Sequence, residues 1–233
     1  MATNNSLSDD DLWEAALTAM RANDPDTAWP LLHEIDARQD AQKARLARVE
    51  ALAEAALWYV SQGLPVFPLR PKAKTPMLRT AHPNDARLRA QCQGGCGKLG
   101  HGFHDATTAP DVIAAWWMRQ PRANIGLPTG TAFDVIDVDG PPGYASLAEL
   151  EAAGKLPPRL AQVQTPGDPG ADPPRPPGIH YYIAATGDGC ATGIAPGLDY
   201  RGAGGYVAVP PSHGPSGGLY SWAVPLDVSA VAP

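Results

Sequence analysis

Apolar positions change their period along the chain. Between residues 37 and 60 they recur at helical spacing, with Leu46, Val49, Leu52, Ala53, Ala56, Leu57 and Val60 on one side and no Gly or Pro between them. This predicts a helix over 26–62, stopped at Gly63. A shorter helix is predicted over 8–22, where Ser8 precedes Asp9-Asp10-Asp11 as an N-cap followed by first-turn acids. After Gly63 the apolar runs shorten. Residues 64–69 contain prolines and read as an edge strand. Short strands are predicted over 124–127, 133–138, 163–165, 180–184, 206–209 and 220–224. Helices are predicted over 111–119, with Val112, Ile113, Trp116 and Trp117 forming a bulky face, and over 144–153, ended by Gly154. Residues 168–177 are rich in Pro, Asp and Gly and read as a flexible surface loop. Interleaved helices and strands with hairpin-like spacing give an α/β or α+β class with a mixed or antiparallel sheet.

The composition is that of a globular chain with many loops. Of 233 residues, 44% are hydrophobic and 18% charged, with 26 Pro and 24 Gly, which excludes wholesale disorder and collagen-like repetition. No apolar run reaches the ~18 residues of a membrane span. Met1-Ala2-Thr3-Asn4-Asn5 lacks the basic and apolar regions of a signal peptide. A cytoplasmic location is therefore expected, and the sparse cysteines suit a reducing compartment. The net charge of −6 argues against a generally basic nucleic-acid binder. Its distribution changes that picture. Residues 1–64 sum to −6, residues 65–104 to +6 and residues 105–233 to −6. A concentrated basic stretch is what a polyanion would meet.

Four segments carry candidate chemistry. In Asp134-Val135-Ile136-Asp137-Val138-Asp139 the strand period puts Asp137 and Asp139 on one face and Asp134 on the other. Two carboxylates at a strand end repel, and a divalent cation relieves that repulsion, as in two-metal phosphoryl transfer. A polar strand end entering a turn would look the same. Asp199-Tyr200-Arg201-Gly202 adds a third acid, a guanidinium fork suited to phosphate and a Gly-rich turn, or an ordinary hairpin. His180 opens an apolar strand, as a phosphate donor or as a structural histidine. Cys92, Cys96, His101 and His104 lie within 13 positions among glycines and form a Cys₂His₂ set for Zn²⁺, structural because the protein fills all four positions. The alternative is a reduced cysteine pair with incidental histidines. The segment Arg70-Pro71-Lys72-Ala73-Lys74-Thr75-Pro76 could meet phosphates or be a solvated loop.

Taken in order, these segments resemble the catalytic domain of the bifunctional DNA primase/polymerase (Prim-Pol) family of the archaeo-eukaryotic primase superfamily. The resemblance spans about residues 52–224. It is carried by Gly63-Leu64-Pro65-Val66-Phe67-Pro68-Leu69 with Lys74-Thr75-Pro76, by His104-Asp105-Ala106-Thr107-Thr108, by Trp116-Trp117 with Ala123-Asn124-Ile125-Gly126-Leu127-Pro128-Thr129-Gly130, and by Val135-Ile136-Asp137-Val138-Asp139. Gly178-Ile179-His180-Tyr181, Asp199-Tyr200-Arg201-Gly202, and Pro210-Pro211-Ser212 before Tyr220-Ser221-Trp222 complete it.

The resemblance implies an α+β fold: a primase-type core with an RRM-like mixed or antiparallel sheet over residues 52–226, a zinc knuckle at 92–104 and an N-terminal helical extension over 1–51. It implies a template-directed nucleotidyltransferase. Asp137, Asp139 and Asp199 would hold Mg²⁺ or Mn²⁺. His180, Arg201, Lys74, Thr129, Gly130 and Ser212 would bind the nucleotide, and Cys92, Cys96, His101 and His104 would bind Zn²⁺. The implied partners are single-stranded DNA, dNTPs or NTPs and, because many relatives continue into one, a helicase domain. Since the chain ends at Pro233, it is expected to be a stand-alone primase or a fragment. Residues 167–177 depart from the family pattern, in which a Thr-Pro strand runs to the His strand through a short Gly turn. Two rival readings keep part of these features: a non-catalytic, zinc-stabilised nucleic-acid-binding replication module, and a metal-dependent nuclease.

Overall fold

The computed structural model describes residues 7–227, apart from the side chains of residues 45, 46, 48 and 49. The expected apolar positions Leu46 and Val49 are among these and lie outside the described side chains. The chain divides into two compact units, Met1–Val49 and Glu50–Pro233.

The first unit is a helical hairpin. Helix α1 (Asp9–Arg21) begins where the Ser8 hydroxyl accepts the Asp11 amide at 3.1 Å, satisfying an otherwise orphaned donor. Helix α2 runs from Pro25 to Ser61, and its first part belongs to this unit. Leu12, Ala16 and Ile35 are buried together. Arg38 pins the pair by donating to Asp9 at 2.8 Å and to the Leu7 carbonyl at 2.9 Å.

The second unit contains strands β1 (Phe67–Leu69), β2 (Asn124–Pro128), β3 (Asp134–Val138), β4 (Ala161–Thr165), β5 (Gly178–Ile183), β6 (Ala191–Ala195), β7 (Leu198–Arg201), β8 (Tyr206–Val209) and β9 (Ser221–Val224). They form two sheets, ordered β1-β2-β8 and β6-β7-β3-β5-β4-β9, with antiparallel neighbours throughout. Helices α3 (Ala86–Gln91), α4 (Pro110–Arg119) and α5 (Gly140–Ala152) complete the unit. The fold is therefore α+β with antiparallel sheets.

The larger sheet has two apolar faces, so its middle strands are buried on both sides. Ile136 and Val138 of β3 pack with Ile179, Tyr181, Ile183 and Leu198, and Leu147 and Leu150 of α5 cover them. On the other face Val135, Val163 and Tyr182 join the main core with all three strands of the small sheet, α4 and the end of α2. Leu52, Ala56 and Tyr59 are the buried positions of that helix end, whereas Leu57 is exposed. Trp117 fixes α4 by donating its ring N–H to the Ala123 carbonyl at 3.1 Å.

Strand β7, helix α3 and strand β6 were not among the elements expected from the sequence. Helix α3 buries no residue, and β6 is exposed almost throughout, so neither has an apolar period to detect. Residues 168–177 are also more constrained than their composition suggests. Asp168 and Arg175 exchange both backbone hydrogen bonds, at 2.7 and 3.0 Å, and their side chains pair at 2.9 Å. Among the described residues, no helix is long and apolar enough to cross a membrane.

Candidate active site and metal centre

Strand register assembles the acidic site. Asp137 sits on β3 with His180 as its direct neighbour on β5 and Asp199 as its direct neighbour on β7. Three side chains from three strands therefore form one row on one face of the sheet. Arg201, two residues after Asp199, shares that face. Its Nη2 lies 2.7 Å from Asp199 Oδ2 and 3.4 Å from Asp137 Oδ2. Asp139 follows the strand end and stands as the exposed N-cap of α5.

Two close backbone approaches hold this arrangement. The Asp139 amide donates to the Gly197 carbonyl at 2.8 Å, linking the start of α5 to the β6–β7 turn. A Cβ on Gly143 would lie 2.4 Å from that same carbonyl oxygen, so the helix can approach the turn only without a side chain there.

Burial and charge oppose each other in the row. Burial alone would push the Asp137 carboxyl up, but His180 (where protonated), Lys74 and Arg201 together bring it below the usual carboxylate value. Asp139 moves the other way: burial raises it, and Asp137 and Asp199 add to the rise. Complete burial lowers His180 to about 4 against the pull of Asp137, so its imidazole is neutral at pH 7. His180 Nε2 lies 3.5 Å from Asp137 Oδ1, yet neither atom makes a hydrogen bond, and His180 Nδ1 also lacks a partner. Buried polar atoms without partners are rare and point to a ligand.

Two cavities open on Asp137 and Asp139, whereas Asp199 lines neither and accepts from Arg201 and, at 2.8 Å, from the Gly193 amide. One, of about 390 Å³, is lined by Lys74, Asp137, His180, Cys190, Arg201 and residues 204–208. The other, of about 280 Å³, is lined by Lys72, Lys74, Asp139, Arg175, His213 and Tyr220, among others. Lys74 lines both. Its loop is pinned by the Tyr206 hydroxyl, which donates to the Lys74 carbonyl at 3.0 Å, and by buried Asn124, whose amide donates to the Ala73 carbonyl at 3.0 Å. An all-oxygen donor set of three carboxylates, one with a buried unpartnered oxygen, fits Mg²⁺ or Mn²⁺ shared with phosphate oxygens.

Three expected nucleotide contacts have other engagements. The buried Thr129 hydroxyl donates to the Gly202 carbonyl at 2.7 Å. Gly130 packs directly on Ala203, where a Cβ would lie 2.2 Å from its Cα. Buried Ser212 accepts the Ile125 amide at 2.9 Å. These residues shape the glycine turn and β2, and none of them lines either cavity.

The cysteine-histidine cluster is brought together with one substitution in its set. Cys92, Cys96 and His101 gather with His82, and their ligand atoms all lie within 4.8 Å of one another. His104 is outside this group and stacks on Phe103, with ring centroids 4.0 Å apart. Cys96 Sγ is 3.5 Å from His101 Nε2, and His101 Nε2 is 3.3 Å from His82 Nε2. A tetrahedral zinc site with standard bond lengths has S···N edges of about 3.6 Å and N···N edges of about 3.4 Å, so the donors present fit. His82 draws the Cys92 thiol down to about 6, with smaller help from the Cys96 and Gly94 amides.

Sequence spacing did not single out His82, because it lies ten positions before Cys92. Gly100 supplies the missing signal. Its φ is +116°, and an added Cβ would lie 2.0 Å from the Arg79 carbonyl oxygen, so this glycine admits the 79–82 segment beside His101. Buried Asp105 also went unassigned. Its Oδ2 accepts the amides of Gly100 and His101 at 2.8 Å each, and Oδ1 lies 3.5 Å from His101 Nδ1. His101 Nδ1 makes no hydrogen bond at this distance, so Asp105 acts on the ring through its charge; were His101 to ligate a metal through Nε2, a carboxylate at that place would help orient the imidazole and raise its basicity.

No curated protein matches this chain. Residues 56–233 match the Prim-Pol family, described as bifunctional DNA primase/polymerase, N-terminal. That match begins within the end of α2 and takes in both sheets, the acidic row and the cysteine-histidine cluster, and by it the chain belongs to the bifunctional DNA primase/polymerase family.

Proposed function

We propose that the protein is a template-directed nucleotidyltransferase that makes or extends DNA primers on single-stranded template. The observation that carries this reading is the cross-strand row Asp199–Asp137–His180, with Arg201 on the same face. Asp137, Asp139 and Asp199 would hold two Mg²⁺ or Mn²⁺ ions, which would supply Lewis acidity to the attacking 3′-hydroxyl and positive charge to the triphosphate and departing pyrophosphate. Asp137 remains ionised at neutral pH because nearby cations offset its burial. Neutral His180 presents an N–H to a phosphate oxygen, a donor already in place before charge shifts in the transition state. Arg201 and Lys74 grip the phosphates, and the family's core corresponds to the large sheet of this unit.

The Zn²⁺ site is proposed as Cys92, Cys96, His101 and His82, with a structural role because all four positions are filled by the protein. It folds a stretch whose helix α3 buries nothing of its own. The same carboxylates would serve a nuclease, and a helicase partner would supply unwound template.

De novo synthesis on single-stranded DNA tests this reading. Labelled dNTPs or NTPs with Mg²⁺ or Mn²⁺ should give product with the native protein and none with Asp137→Ala/Asp139→Ala. Degradation of the template without synthesis would favour the nuclease.

A further inference from the structure

A third cavity, of about 630 Å³, adjoins the one that reaches Asp139. The two share Thr165, Pro166, Arg175 and Pro176 as walls, and Lys74 joins them to the cavity of Asp137. Shared walls thus place the three cavities side by side between the acidic row and the outer edge of the large sheet, and together they outline a groove. Its outer wall is the loop between β4 and β5.

That wall is built as a fixed structure. Residues 168–175 are closed by two backbone hydrogen bonds and an ion pair. Pro176 packs over Gly140, where a Cβ would lie 2.7 Å from its Cγ. On the other side, a Cβ at Gly214 would lie 2.6 Å from Pro166 Cγ, so the loop after β8 packs against the same wall. The Ser216 hydroxyl donates to the Gly167 carbonyl at 3.3 Å.

The lining has two kinds of surface. Lys72 and Arg175 flank the middle cavity, with Lys74 behind them. Arg175 remains 67% exposed although Nη2 holds Asp168, and it lines both outer cavities. The carboxylates present are Asp139, which belongs to the acidic row, and Asp168, which is committed to Arg175. Farther out the lining is apolar, with Pro166, Pro176 and half-exposed Leu219. Cations beside an apolar surface suit single-stranded nucleic acid: charge follows the backbone, and unstacked bases bury apolar area, here against prolines and a leucine where aromatic rings more often serve.

We propose that this groove guides single-stranded DNA to the acidic row, with Lys72 and Arg175 gripping its phosphates and Pro166, Pro176 and Leu219 supporting its bases. The inference rests on the primase/polymerase reading, and it assigns a role to the segment that departs from the family pattern.

Binding of a fluorescent oligo-dT, measured by anisotropy across a salt series, tests it on the full chain. Lys72→Ala/Arg175→Ala should weaken binding about tenfold or more. It should also reduce the slope of log affinity against log salt by about 1.4, the loss of two single-strand phosphate contacts. Arg119→Ala/Arg159→Ala removes two exposed charges elsewhere and should leave both readouts as in the native protein. Asp168→Asn breaks the same ion pair but keeps the Arg175 charge, so it should bind at least as tightly as native. An equal loss in Asp168→Asn and Arg175→Ala would reduce Arg175 to a loop brace and overturn the proposal. Unchanged affinity and slope in the double variant, or a change in nucleotide KM alone, would overturn it too. A native protein that binds DNA through this groove but makes no product would sink the catalytic reading and leave the groove standing.

Discussion

Asp137 and His180 face each other across the β3–β5 pair, with Oδ1 and Nε2 3.5 Å apart and neither atom hydrogen-bonded. Both side chains are buried, and burial makes their protonation states interdependent. Among the described residues no polar group makes a hydrogen bond to Nε2, and both side chains line the 390 Å³ cavity.

This relationship gives His180 a defined effect on acid stability. Its folded-state value is depressed to about 4 from 6.5, so between those pH values the unfolded chain binds the extra proton. Stability therefore rises with pH across that window and falls as pH drops from 6.5 towards 4. Asp137 acts lower, because its value lies below 3.8 and its contribution is lost only as pH falls further. His180→Gln should flatten the dependence of melting temperature on pH between 6.5 and 4. An unchanged slope would mean that the His180 ring is solvated and titrates normally.

The close approach of α5 to the β6–β7 turn positions Asp139 relative to Asp199. Gly143→Ala forces a backbone shift, because its Cβ would meet the Gly197 carbonyl at 2.4 Å. We expect a loss of about 1–3 kcal/mol in urea unfolding, the usual range for overpacking a close approach. Synthesis should fall further than the folded fraction accounts for. A stability change within about 0.5 kcal/mol, that of a neutral surface substitution, would show that the helix and turn are not in contact.

The proposed zinc site discriminates between two histidines. His82→Ala should reduce zinc content measured on protein purified without added metal, whereas His104→Ala should retain about one zinc per chain. Asp105→Asn should keep the metal but weaken its affinity about 10–100-fold, as loss of an orienting partner does. If His104→Ala lost the metal and His82→Ala kept it, the ligand set would be the one that sequence spacing alone suggested.

Part of the acidic row was legible in the sequence, because strand parity is a local property. The alternation that places Ile136 and Val138 in one core puts Asp137 and Val135 on the opposite face, whereas 198–201 read only as a Gly-rich turn or hairpin, and the strand that lines Asp199 and Arg201 up on that face appears only in the structure. The assembly of the metal cluster was not legible from spacing. His82 reaches His101 only through the Gly100 backbone approach, a tertiary relationship that carries no period. Ser212 and Thr129 sit within recognisable motifs, but their hydroxyls satisfy backbone groups inside the fold, which a motif cannot reveal. The groove wall was hidden for a similar reason: a Pro-, Asp- and Gly-rich segment reads as a loop whether it is loose or, as here, closed by Asp168 and Arg175.

Single-nucleotide incorporation on a primed, defined template tests the central claim most directly. The native protein and Asp137→Asn would be compared in saturating Mg²⁺ or Mn²⁺, with folding checked by circular dichroism. The account predicts incorporation of the templated nucleotide by the native protein. It predicts a loss of at least about 10²-fold in the variant, the order lost when a group stabilising transition-state charge is removed, while oligonucleotide binding persists. Full incorporation by folded Asp137→Asn would contradict it, because the row that joins β3, β5 and β7 at Asp137 would then not be the site of the chemistry.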